Sequence, residues 1–154
     1  MILDERNFYE EYGIYAPTTI KYRDILEFDG HTLDEKFNLI VNKDYYNAPE
    51  GEYTEEDKAG AVFLWIQYLN EFIDTLDGLK SSTNEAHCAE MTWFSTTFTR
   101  QSSISAVANE WHCDWNHVLN SEYGDVMITL DFLQAKSYAD AMEQKWHQQR
   151  SKSR

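Results

Sequence analysis

The residues from Thr54 to Gly78 constrain the fold more than any others. Ala59, Val62, Ile66, Leu69, Ile73 and Leu76 alternate spacings of three and four, which places them on one side of an α-helix. Phe63, Trp65 and Phe72 widen that side. Thr54, with Asp57 three residues on, forms a capping-box start, and Gly78 stands where a C-terminal cap is expected. The stripe lasts under about three heptads, which predicts burial in a bundle or globular core rather than in a coiled coil.

The other apolar patterns extend a helical reading. A second capping box, Thr32 with Glu35, predicts a helix through about Tyr46, and Asp4 predicts a short one ending near Gly13. Ile104, Val107, Trp111, Trp115 and Val118 mark another, and the last is expected from Ser137, with Asp140 as its capping partner and Tyr138, Met142 and Trp146 on one side. Three stretches, 18–28, 92–99 and 126–133, also fit a period of two; the last two continue neighbouring helical stripes and are read as helix. The expected fold is mainly α, a single globular helical domain over 1–154 with a helical core at 55–150. An α+β arrangement with a small antiparallel sheet is the alternative. No repeat or Gly/Pro/Ser-rich linker divides the chain.

Composition narrows the function classes. With 154 residues, 42% of them hydrophobic, the chain has enough apolar surface for a core without disulfide staples. Carboxylates at Asp4 and Glu5 replace the basic and apolar start of an export signal, and no apolar run approaches the roughly 20 residues that span a bilayer. A cytoplasmic setting follows as the expectation, that of a bacterium or a phage-infected cell, and the only two cysteines, Cys88 and Cys113, are expected to be reduced thiols or ligands. The formal net charge is -14, with 15 acidic against 6 basic residues in 1–60 but 5 of each in 121–154, where a short basic tail closes the chain at 151–154. Such a field disfavours nucleic acid and anionic membranes and favours a basic protein surface or divalent cations.

Three constellations carry candidate chemistry. Cys88, Cys113 and His117, with His87 and His112 beside the thiols, offer the ligand types of a structural zinc. On one continuous helix Glu110, Cys113 and His117 would share a polar face. The paired Cys-x-x-Cys spacing of a strong zinc motif is absent.

The second is a pair of acidic motifs, Glu71-Phe-Ile-Asp74 and Glu122-Tyr-Gly-Asp125. Residues three apart on a helix lie on one side, so two such helices would aim four carboxylates at magnesium. The stretch from Glu122 to Leu133, followed by Asp140 to Arg150, resembles the end of the all-helical MazG-like nucleoside triphosphate pyrophosphohydrolases. That resemblance implies a magnesium-dependent enzyme with Glu71, Asp74, Glu122 and Asp125 as metal ligands and Lys145 and Arg150 on the phosphates. Gln149 stands where the family carries Asn, and the acidic motifs lie farther apart than the family's.

The third is the acidic front at 1–60, where Glu10, Glu11, Glu50, Glu52, Glu55, Glu56 and Asp57 are interleaved with Tyr45, Tyr46 and Tyr53. Tyrosine is enriched at protein contacts, and carboxylates steer a cationic partner. The favoured expectation is therefore a cofactor-free interaction module, not an enzyme, that binds and blocks a basic, nucleic-acid-handling protein as an inhibitor, antidote or phage counter-defence protein would, by imitating nucleic-acid charge. An acidic subunit of a larger assembly, such as a viral one, and a homo-oligomer are the further expectations.

Overall fold

A computed structural model of the chain describes residues 13–42, 53–76 and 88–153. The architecture among them is mainly α, with seven helices: α1 Tyr22–Glu27, α2 Leu33–Ile40, α3 Glu55–Thr75, α4 Ala89–Thr97, α5 Thr99–Trp111, α6 Trp115–Leu119 and α7 Tyr123–Lys152. In place of a sheet there are two isolated antiparallel bridges, Ile14 with Val41 and Lys21 with Glu122. The chain forms two compact units, one of Met1–Leu76 with Leu119–Val126 and one of Asp77–Val118 with Met127–Arg154. Because the chain passes between them three times, no single linker marks their boundary.

The first unit is organised around α3. The capping box forms as the sequence predicts: Asp57 N donates to Thr54 Oγ1 and Thr54 N donates to the Asp57 carboxylate, both at 3.1 Å. Val62 and Trp65 are the buried residues of α3, with Ala61, Ile66, Tyr68 and Leu69 packed beside them, whereas Phe63 is 63% exposed. The apolar face is thus centred on Trp65, and Phe63 lies off it. Trp65 stacks on Phe28 at 4.9 Å within a core that includes Ile14, Ile20, Phe37, Ile40 and Val41. The helix ends at Thr75, and Gly78 lies outside the described residues.

Tertiary pairing overrides the local pattern twice in this unit. Helix α2 stops at Ile40, well short of Tyr46, because Val41 turns extended and is buried against Ile14, with Tyr15 N donating to Ile40 O and Asn42 N to Gly13 O. The stretch 18–28 becomes a 3₁₀ turn at Pro17–Thr19 followed by α1. Its neighbour in space is the start of α7, where Tyr22 N donates to Ser121 O and Tyr123 N to Ile20 O. Gly124 permits this approach, since a Cβ there would lie 2.8 Å from Thr18 Cβ. The expected helix from Asp4 lies outside the described residues.

The stretch 126–133 is helical, as its stripe predicts, and 92–99 is helical except at Phe98, where a turn separates α4 from α5. The expected helix through Ile104 and Val118 is broken. His112 adopts the left-handed conformation (φ 54°), His112 N donates to Asn109 O and Cys113 N to Ala108 O. That is a Schellman closure without glycine, and histidine is among the residues that tolerate it. Asp114 then accepts from His117 N at 2.8 Å to start α6. The last helix does not begin at Ser137 but runs unbroken from Tyr123. No Gly or Pro follows Gly124, and a break would strand backbone groups that the continuous ladder satisfies.

Two alanine substitutions should therefore have opposite signs. Gly60 lies on the exposed side of α3 with nothing within 4 Å of an added Cβ, so Gly60→Ala is expected to stabilise by about 0.5–1 kcal/mol. Gly124→Ala is expected to destabilise by about 1–3 kcal/mol through its clash with Thr18, both read by urea denaturation.

Candidate functional site

The acidic front is only partly within view. Glu10, Glu11, Tyr45, Tyr46, Glu50 and Glu52 lie outside the described residues. Tyr53 packs on Phe37, with ring centroids 5.1 Å apart, at the margin of the core, so its ring serves the fold. Glu55, Glu56 and Asp57 are exposed in the first turn of α3, where the helix dipole favours carboxylates and Asp57 completes the cap. Lys58 lies between carboxylates, 2.7 Å from Asp34 of α2 and 3.7 Å from Glu55. The hydrogen bond to Asp34 is the main cause that raises the Lys58 pKa.

Charge divides unevenly between the two units. Among the described residues the first unit carries twelve carboxylates against four lysines and arginines, and the second six against five. Beyond Glu55, Glu56 and Asp57, the excess in the first unit includes exposed Glu27, Asp29, Asp34 and Glu35. Glu35 pairs with His31 Nδ1 at 2.6 Å, while its backbone N–H donates to Thr32 Oγ1 at 3.3 Å. The His31 hydrogen bond is the chief cause that lowers the Glu35 pKa, with the Thr32 backbone adding to it.

The two acidic motifs belong to the same unit and their helices meet, Phe72 of α3 placing its ring edge 6.3 Å from Tyr123 of α7. Burial raises the Tyr123 pKa, and Tyr22, stacked at 6.2 Å, adds to the shift. Glu71, Asp74, Glu122 and Asp125 are exposed, and among the described residues no three of His, Cys, Asp and Glu are grouped to hold a metal ion. Asp125 occupies the first turn of α7, a favourable place for a carboxylate in any helix. Lys145 and Arg150 are exposed on the same helix, Arg150 lying over the Trp146 ring at 5.0 Å.

Cys88 is exposed before α4, Cys113 is half-buried and His87 lies outside the described residues. The turn at His112 separates Glu110 on α5 from His117 on α6, so the polar face expected of one continuous helix does not exist.

Two apolar surfaces of the second unit went unread in the sequence. Helix α4 buries none of its residues, leaving Met91, Trp93 and Phe94 at least 48% exposed. Phe94, Phe98, Ala106 and Trp115 line an open cleft of about 590 Å³. Along α7, Ile128, Phe132, Met142 and Trp146 are also exposed. Their spacing was the available signal, obscured by the expectation of a helix start at Ser137. No described helix is long and apolar enough to cross a membrane. Compared with protein-family models, curated proteins and solved structures, the chain matches none.

The geometry at Glu35 predicts a titration effect. A lowered folded-state pKa means that the contribution of Glu35 is present above its unfolded titration range and lost as pH falls through the lower folded value. His31→Ala is expected to return the Glu35 midpoint toward the ordinary glutamate range, read by carboxyl-carbon NMR between about pH 2 and 7.

Proposed function

We propose that the chain is a protein-binding module whose acidic first unit docks on a basic protein surface. The observation that carries this reading is the excess of twelve carboxylates over four cations in one unit, against near balance in the other. Solubility alone needs charge but not this segregation. Carboxylates held on helices lose less freedom on binding than those on a loose chain, and together they raise the encounter rate with a cationic partner. A groove lined with lysine and arginine for phosphate is the complementary surface, so the partner class we favour is a nucleic-acid-handling protein, blocked when the acidic unit occupies that groove. The attraction would be screened beyond about 10 Å at 0.1 M salt.

The magnesium-dependent pyrophosphohydrolase has less support, because its four carboxylates are exposed and ungrouped. Glu27, Asp29 and Glu56 are exposed and form no ion pair or side-chain cap among the described residues, which suits them to charge reversal.

Affinity capture at about 50 mM salt, run in parallel with wild type and with Glu27→Lys, Asp29→Lys and Glu56→Lys combined, is expected to retain a basic protein on wild type alone and to release it by about 300 mM salt. Equal retention by both chains would refute the reading. Pyrophosphate release from a nucleoside triphosphate with magnesium, abolished by Asp125→Ala, would replace it with the hydrolase.

A further inference from the structure

We propose that α7 carries a self-association seam through which two copies of this chain pair antiparallel. The seam is Ile128, Phe132, Ala135, Ala139, Met142 and Trp146, whose spacings alternate four and three across 19 residues, about 28 Å of helix. Ile128 and Phe132 are each 54% exposed, Met142 43% and Trp146 49%. On the opposite side Leu130, Leu133, Ser137 and Ala141 are half-buried. As far as Ala141 the helix therefore has two apolar sides, of which one is half-buried, as is Ala135 at the centre of the seam; from Met142 to the last described residue every position is exposed. A helix whose outer face met only water would carry polar residues there.

Size and charge together point to a second copy as the occupant. The seam is symmetric about Ser137: a two-fold axis there sets Ala135 against Ala139 of the second copy, Phe132 against Met142, and Ile128 against Trp146. Small residues let crossing helices approach at the centre, and larger ones fill the gap as the helices diverge. One flank carries Asp131 and Lys145, and the antiparallel arrangement brings Asp131 of each copy beside Lys145 of the other, twice over. On the other flank Lys136 of each copy meets Lys136 of the other, one like-charged pair against the two opposite-charged ones. A parallel pair would instead set Lys145 beside Arg150 but Asp131 beside Lys136 of the second copy, so that repulsion and attraction cancel, and would align the two helix dipoles. Both terms favour the antiparallel form.

Sedimentation of the full chain under reducing conditions, which keeps exposed Cys88 from linking copies, tests this between about 1 and 200 µM. A monomer–dimer equilibrium in that range is expected. Ala139→Glu should give a monomer with unchanged helical circular dichroism. Lys145→Asp should weaken the dimer about tenfold, and Asp131→Lys added to it should restore the affinity. A chain that stays monomeric throughout leaves the seam to a different protein and overturns the proposal. So does a dimer that survives Ala139→Glu, or one that Lys145→Asp tightens, as a parallel pair would.

Discussion

The first unit depends on burial of the Trp65 indole. A fully buried tryptophan removes about 150–250 Å² from water, worth about 4–6 kcal/mol at 25 cal/mol per Å². Trp65 is 0% exposed, and its Nε1 has no hydrogen-bond partner among the described residues, a cost of about 1–3 kcal/mol. Burial outweighs that cost, and the stack on Phe28 adds to it. Around this ring the short helices α1 and α2, too brief to persist alone, acquire an apolar surface to lie on.

Helix ends were decided by what the chain meets next. Val41 is compatible with another helical turn, yet burying it beside Ile14 satisfies backbone groups and removes apolar surface at once. At His112 the left-handed turn closes the carbonyls of Ala108 and Asn109. At Ser137 the reverse holds: a sequence that resembles a helix start lies inside a helix whose backbone ladder continues through it. The same residue types are cap or interior according to whether the helix before them continues.

These endings shape the functional surfaces. Carboxylates gather on the first unit because the capped first turns of α2 and α3 both favour them, so part of the acidic character has a local structural cause. Glu27 and Asp29 have no such role on view, and charge of that kind is what a docking surface requires. The unbroken run of α7 has its own consequence, since it joins Ile128 and Phe132 to Met142 and Trp146 in one line that a break at Ser137 would have divided.

The sequence by itself determined the helical class, the long amphipathic helix with its capping box, and the acidic bias of the first half, because each follows from local periodicity, local hydrogen bonding or plain composition. It also held the α7 seam, although a false cap concealed it. Only the tertiary structure decided that Trp65 and not Ile66 centres the α3 face, that Val41 leaves its helix for Ile14, that Tyr53 packs inward, and that the four acidic motif residues stay ungrouped. Those outcomes depend on which distant segments come together. A one-dimensional pattern records the period of each face but not the rotation at which a neighbour meets it.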